Sequence, residues 1–94
     1  AFHNRVPIGL VTSASRISVD SLMRAKSLDS FFSIIVTSDD VEKRKPDPEP
    51  YRLAGALVGV EPSDCLIIED SDEGVAAAKA FGAQVWRVDC WRGS

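Results

Sequence analysis

The chain alternates short apolar runs with longer segments of mixed polarity. Four of the runs have the length and composition of β-strands, and they lie at residues 8–12, 32–36, 65–68 and 84–88. Their residues are nearly all apolar instead of alternately apolar and polar, which is typical of strands that are buried on both faces. The pattern therefore predicts four short, buried strands of a parallel sheet.

Helices are predicted between these strands. Apolar residues recur at helical spacing in the segments after Ser18 and after Pro50. In a third, alanine-rich helix, Ser71 or Asp72 can cap the N-terminus, and Gly82 can take the left-handed conformation that ends a helix. This alternation predicts an α/β fold: a Rossmann-like, three-layer parallel sheet with helices on both faces.

Composition limits the domain number and the partners. A chain of 94 residues is long enough for one small domain. Its 45% hydrophobic and 27% charged residues are typical of a globular domain, and no apolar run approaches the ~20 residues of a membrane span. The formal charge of -3 gives no general attraction for nucleic acid. We therefore expect neither a nucleic-acid nor a membrane partner.

The cysteines bear on the cellular compartment. Cys65 lies in an apolar run and Cys90 near the end of the sequence, without CxxC spacing. Free thiols in a reducing compartment are the simplest account of this pair. Residues 1–5 are polar and do not resemble a secretory signal. We therefore expect a cytoplasmic protein.

Polar side chains follow three of the predicted strands. They are Ser13, Asp39, Asp40, Glu69 and Asp70. Ligands of parallel sheets bind beyond the carboxyl ends of the strands, so we expect these side chains to share one rim. The adjacent Glu69 and Asp70 could both reach one hard cation, because the backbone turns at the end of a strand. The alternative is that both carboxylates only favour the N-terminus of the next helix.

Two further features have a functional and a purely structural interpretation. Lys45 lies in a charged, proline-rich loop and could start a helix whose N–H groups help it to hold phosphate; the alternative is a solvated basic turn. Ser13 could bind phosphate, or it could cap the first helix together with Ser15. Tyr51 and the two tryptophans, Trp86 and Trp91, are expected to pack instead of binding a ligand.

Several separated segments resemble one family, in that family's order. They are GLVTSASR at residues 9–16, KPDPEPY at 45–51, IIEDS at 67–71 and GVAAAKAFGA at 74–83. Together they resemble the haloacid dehalogenase superfamily, most closely its phosphatase and β-phosphoglucomutase branch. The resemblance extends over nearly the whole chain, from Val6 to Val88.

The resemblance implies a mechanism and a role for five residues. In this family an aspartate attacks phosphorus, a second aspartate acts as acid and base, and Mg²⁺ neutralises the phosphoryl oxygens. Ser13 matches the phosphate-binding hydroxyl, with the Ala14 N–H beside it. Lys45 matches the lysine that balances the phosphate and nucleophile charges, and Glu69 and Asp70 match the pair that holds Mg²⁺. The implied substrate is a small phosphorylated metabolite, with a sugar phosphate as the first choice.

Two parts of the family pattern are missing from the 94 residues. These are the Asp-x-Asp nucleophile on a strand near the start of the full protein, and the cap domain that selects the substrate. Asp47-Pro48-Glu49 comes near the nucleophile motif in form, but it follows no strand. We therefore expect residues 1–94 to be the C-terminal part of a single core domain, with the N-terminal segment of the same protein as a partner.

In the family the nucleophile strand lies between the strand that carries the serine and the strand that carries the acidic pair. The 94 residues alone are therefore expected to be inactive, and either poorly folded or with strands paired differently to close the gap.

Two classes of function stay open at this point. One is a Mg²⁺-dependent phosphatase or phosphomutase of which this is a part, and the other is an inactive fragment or regulatory module that keeps the phosphate pocket. The adjacent Glu69 and Asp70 disfavour the dehalogenase branch, which does not need the metal. A receiver domain of the response-regulator type is disfavoured by the order of its acidic residues.

Overall fold

The computed structural model describes residues 6–28 and 30–88, and Cys90 and Trp91 lie outside this part. The described elements follow the order β1 (Gly9–Val11), α1 (Arg16–Ala25), β2 (Ile34–Val36), α2 (Glu49–Val58), β3 (Leu66–Glu69), α3 (Asp72–Phe81) and β4 (Gln84–Arg87). Each predicted strand and helix is present in this part of the chain. The α/β class is confirmed.

The helix ends follow the capping residues. Ser15 caps α1 and accepts a hydrogen bond from the Ser18 backbone N–H at 3.2 Å, so this helix begins before Ser18. Of the two candidate caps of α3, the structure uses Ser71, whose hydroxyl accepts from the Gly74 N–H at 3.0 Å. Gly82 ends α3 with a φ of 103°, a left-handed conformation that favours glycine.

The strands form two separate parallel pairs. β1 pairs with β2, with Gly9 opposite Ile34. β3 pairs with β4, with Leu66 opposite Gln84. Among residues 6–28 and 30–88, no strand pairing joins β1 to β3. Of the two expected outcomes, different pairing to close the gap was therefore wrong for this part of the chain, and poor folding of the 94 residues alone stays a prediction.

Helices α2 and α3 lie side by side and cover one face of the strands. Tyr51 of α2 packs with Ala77 and Ala78 of α3, and Val11 and Ile67 of the strands lie against this cluster. The small alanines let α3 approach the sheet and α2 closely. This core fixes the positions of the carboxyl ends of β1 and β3, where the predicted site residues lie.

The opposite face of β3 and β4 is open to solvent. Ile68 is 58% exposed and Trp86 is 60% exposed, and the two side chains lie opposite each other in the strand register. Side chains alternate along a strand, so only Ile67 and Glu69 of β3 point toward α2 and α3. The prediction that residues 65–68 are buried on both faces was wrong for this part of the chain.

The described helices are short. Each of the three α-helices has 10 residues, and within residues 6–28 and 30–88 no helix is long and apolar enough to cross a membrane.

Candidate active site

A cleft of about 530 Å³ opens between β1 and β3 at their carboxyl ends. Its lining includes Ser13, Lys45, Glu69 and Asp70, so four of the five predicted site residues lie together. Leu10 and Val11 of β1 line the cleft together with Ile68 and Glu69 of β3. In the part of the chain that the structure describes, no strand pairs with the edge of β1 or β3 that borders the cleft. The volume is typical of a small-molecule site.

Lys45 crosses this cleft. Its Nζ donates hydrogen bonds to the Val11 carbonyl oxygen at 3.1 Å and to Glu69 Oε2 at 2.5 Å, and its side chain is only 11% exposed. Helix α2 begins at Glu49, four residues later, so Lys45 does not lie at a helix start. The predicted helix-start position was wrong, and so was its alternative, a solvated basic turn. The contact across the cleft arises because the loop before α2 folds back over the strand ends.

The loop that carries Lys45 is held by its own carboxylates. The Glu49 carboxylate accepts hydrogen bonds from the backbone N–H groups of Glu42 and Lys43, at 3.0 and 3.1 Å. Asp47 Oδ1 accepts from the Glu49 N–H at 2.9 Å. Asp47 and Glu49 thus have a structural role in shaping the loop. Neither carboxylate is placed to act as a nucleophile.

Glu69 is the buried anchor of the lysine. The residue is 8% exposed, and its Oε2 accepts hydrogen bonds from both Lys45 Nζ and the Tyr51 hydroxyl. Burial by itself would raise the pKa of Glu69, but the hydrogen bonds from Lys45 and Tyr51 and the lysine charge outweigh it and lower the pKa below its ordinary value. Glu69 is therefore ionised at neutral pH.

Tyr51 belongs to this site, whereas the sequence interpretation assigned it to packing alone. Its hydroxyl donates to Glu69, and its ring centroid lies 5.2 Å from Lys45 Nζ. Burial, together with the hydrogen bond to Glu69, raises the pKa of Tyr51, so the hydroxyl stays protonated and donates. The available signal was its place at the third position of a helix that follows the lysine loop.

Ser13 and Asp70 are exposed to the cleft, but Ala14 is not among its lining residues. The Ala14 N–H, predicted to bind phosphate, donates instead to Thr12 Oγ1 at 3.1 Å, and the Ala14 carbonyl accepts from the Ser38 N–H. In this arrangement a phosphate would have to displace the threonine hydroxyl to reach that amide.

Three carboxylates line the cleft, those of Glu69, Asp70 and Glu73, and the adjacent Glu69 and Asp70 are the pair whose fit to Mg²⁺ is in question. No group of three or more His, Cys, Asp or Glu side chains that could hold a metal occurs among the described residues. Mg²⁺ commonly binds one or two carboxylates and completes its shell with water and substrate phosphate oxygens. Asp70 lies exposed in the cleft, while one oxygen of Glu69 is engaged by two donors. The donor set fits part of a Mg²⁺ site, with Asp70 as its more accessible member.

Asp39 and Asp40 do not join this rim. Asp39 Oδ2 accepts from the Arg16 N–H at 2.8 Å, and Asp40 Oδ2 binds the Arg16 guanidinium at 2.8 Å. The Thr37 N–H, and then Arg16, lower the pKa of Asp40. The prediction of a shared rim was therefore wrong for this pair, because both carboxylates are used to join α1 to the end of β2.

The spacing Asp-x-Asp does occur in the sequence, at Asp70-Ser71-Asp72, so the statement that this spacing is missing was wrong. Asp72 is the first residue of α3, lies outside the cleft lining and forms an ion pair with Arg87. Only Asp70 of the two faces the cleft. Asp70 and Asp72 are therefore not placed to act together on one ligand.

Gly74 leaves room for Glu69, and this gives a test of the site's packing. A Cβ at Gly74 would overlap the Glu69 carboxyl group. We expect Gly74→Ala to displace that carboxylate and lower the free energy of unfolding by about 2 kcal/mol or more, although alanine is the better helix former by up to ~1 kcal/mol. Urea unfolding measures the change. As a control, Ala76→Gly on the exposed side of α3 should cost about 1 kcal/mol. A Gly74→Ala variant more stable than wild type would contradict this packing.

Comparison with known proteins identifies the family of this chain. Residues 2–88 match the model of the family described as haloacid dehalogenase-like hydrolase. The validoxylamine A 7'-phosphate phosphatase of Streptomyces hygroscopicus subsp. limoneus is 40% identical over 78 residues, which are 83% of this chain and 37% of that protein. The bifunctional riboflavin kinase/FMN phosphatase of Arabidopsis thaliana is 41% identical over 84 residues, 88% of this chain and 22% of that protein.

A solved structure agrees with these matches. The putative beta-phosphoglucomutase from Thermotoga maritima superposes with a TM-score of 0.85 at 33% identity, over 88% of this chain and 39% of that one. The chain spans less than half of the length of each of these three proteins.

Proposed function

Because this chain belongs to the haloacid dehalogenase-like hydrolase family, we propose that it is part of a Mg²⁺-dependent phosphoryl-transfer hydrolase that acts on a small phosphorylated metabolite. The observation that carries the proposal is the convergence of Ser13, Lys45 and Asp70 on one cleft between two parallel strand pairs. A hydroxyl donor, an ammonium and a carboxylate are the groups that a phosphate and its cation require. The phosphatase and phosphomutase names of the relatives support the same class of reaction.

Each residue has a defined part in the proposed reaction. The Ser13 hydroxyl donates a hydrogen bond to a phosphoryl oxygen, and the Lys45 ammonium balances the negative charge of the phosphoryl group. Asp70, with Glu69 beside it, would hold Mg²⁺, which neutralises phosphoryl oxygen charge when it is bound. The fixed position of Lys45 matters because preorganised charges stabilise a transition state without reorganising during the reaction.

The nucleophile is proposed to come from a further strand of the same protein, parallel to β1 and β3 and lying between them. The edges of β1 and β3 that border the cleft support this placement, because within residues 6–28 and 30–88 no strand pairs with them, and a neighbouring strand could use their backbone groups. An aspartate on that strand would attack phosphorus as the bond to the leaving oxygen breaks, and a second aspartate would protonate that oxygen. Water would then hydrolyse the aspartyl phosphate.

A sugar phosphate is the proposed substrate, and a phosphomutase is the variant reaction. The names of the relatives specify different phosphorylated compounds, validoxylamine A 7'-phosphate and FMN. These names suggest that the relatives share the reaction at the phosphate group, and that other parts of each protein select the rest of the substrate.

The proposal is tested with the purified complete gene product that contains these 94 residues. We expect release of inorganic phosphate from at least one member of a panel of sugar phosphates, phosphoglycolate, FMN and pyrophosphate. Release should stop with EDTA and return with excess Mg²⁺. The 94-residue chain alone, assayed in parallel, should release none. If the protein binds phosphate but releases no inorganic phosphate from any compound of the panel, the proposed enzymatic activity is contradicted and a phosphate-binding module is favoured.

A further inference from the structure

Tyr51 contacts both members of the buried ion pair in the candidate active site. Its hydroxyl donates to the same Glu69 oxygen that binds Lys45, and its ring lies 5.2 Å from the Lys45 ammonium. We propose that Tyr51 is a positioning residue, which fixes the Glu69 carboxylate and, through it, the Lys45 ammonium. The catalytic consequence of this inference rests on the proposed function.

The Glu69 carboxylate is held from two sides. On the α2 side, Tyr51 donates to Oε2, while on the α3 side the backbone at Gly74 lies so close that no side chain fits between them. The carboxylate therefore has little freedom to rotate. Without the tyrosine hydroxyl, one of the two side-chain donors to Oε2 would be lost, and of these only Lys45, with its long and flexible stem, would remain.

The packing of α3 determines where the tyrosine hydroxyl lies. The Tyr51 ring is buried against Ala77 and Ala78, and its centroid is 6.3 Å from that of Phe81. A tyrosine ring has few rotatable bonds, so a fixed ring gives a fixed hydroxyl. The packing between α2 and α3 thus fixes the hydroxyl that bonds Glu69, and Glu69 lines the cleft.

Lysine needs such an anchor more than most residues do. Its four-carbon stem has many rotamers, and here Nζ is restrained by the Val11 carbonyl and Glu69. A charge that is loosely held stabilises a transition state poorly, since part of the stabilisation is lost in bringing it back into place. The simpler alternative is that Tyr51 contributes only packing to the core.

Tyr51→Phe in the complete gene product separates these roles, because it keeps the ring and removes only the hydroxyl. We expect kcat to fall about tenfold or more while KM stays within about twofold. The reason is that a less firmly held Lys45 ammonium stabilises the transition state less, while substrate binding changes little. Phe32→Leu, before the amino end of β2 and outside the cleft lining, is the control. It should lower thermal stability and leave kcat at 25 °C unchanged.

A second measurement does not depend on catalysis. In ¹⁵N-edited NMR, a restrained lysine ammonium exchanges slowly, and we expect a Lys45 signal in the wild type that is broadened or lost in Tyr51→Phe but kept in Phe32→Leu. Suppose that the Lys45 signal is lost only in Tyr51→Phe, but the wild type turns over no substrate. The positioning role then stands, and the proposed function fails. If Tyr51→Phe keeps both the signal and kcat, the positioning role is overturned.

Discussion

Replacement of Asp70 by asparagine should lower the Mg²⁺-dependent turnover of the complete gene product by about a hundredfold or more. Asp70 is an exposed carboxylate of the cleft, next to the engaged Glu69. An amide has nearly the same shape but no charge, so the variant should fold normally and bind the cation weakly. Steady-state kinetics over a series of Mg²⁺ concentrations measures the effect.

The control for this experiment is Asp20→Asn, which makes the same chemical change at an exposed position of α1 outside the cleft. Its turnover and Mg²⁺ dependence should equal those of the wild type. Wild-type activity of Asp70→Asn at saturating Mg²⁺ would remove Asp70 from the proposed metal site.

Lys45→Met should produce the second large effect, and it should act on both activity and stability. Methionine keeps an unbranched apolar stem but removes the ammonium that binds the Val11 carbonyl and Glu69. Turnover should fall by about a hundredfold or more, because the phosphoryl charge loses its balancing cation. Stability at pH 7 should fall by about 3 kcal/mol, as when one partner of a buried ion pair is removed. Lys43→Met, at an exposed position two residues earlier in the loop, is the matched control and should change neither.

The pH dependence of this loss has a definite sign. In the wild type the pKa of Glu69 is lowered, so its stabilising contribution is present above its ordinary pKa and is lost as the pH falls through the lowered value. In Lys45→Met the hydrogen bond and the charge of the lysine are lost while burial remains, so we expect the pKa of Glu69 to be higher than in the wild type, and its protonation to relieve the buried charge. Urea unfolding at pH 7 and pH 4 should show that the difference in stability between the variant and the wild type becomes smaller at the lower pH. An equal difference at both pH values would mean that Glu69 does not contribute to it.

The elements of the fold were predictable from local sequence signals. Capping serines, a terminal glycine and apolar runs act over a few residues, and Ser71 and Gly82 do what their positions predicted. The burial of β3 was not predictable in the same way. An all-apolar strand indicates two covered faces, but Ile68 is exposed on the face that α2 and α3 do not cover.

Within the candidate site, residue types in strand-end positions indicated Ser13, Glu69 and Asp70, and the structure places them on one cleft. The partners of polar groups could not be predicted, because they depend on packing between distant segments. Asp40 binds Arg16, 24 residues earlier, and Glu69 binds Tyr51, 18 residues earlier. The only sign of a polar role for Tyr51 was its position just after the lysine loop, since its ring packs as predicted and only its hydroxyl bonds Glu69.

The most direct test is a crystal structure of the complete gene product with Mg²⁺ and beryllium trifluoride, which mimics a phosphoryl group on a carboxylate. We expect a strand that pairs with both β1 and β3 and carries the beryllium trifluoride on an aspartate. The fluorides should lie within hydrogen-bond distance of Ser13 and Lys45, and Mg²⁺ should be bound to Asp70. If β1 and β3 have no strand between them, the proposed position of the nucleophile is wrong. If the mimic binds away from Ser13, Lys45 and Asp70, the proposed phosphate and metal site is wrong.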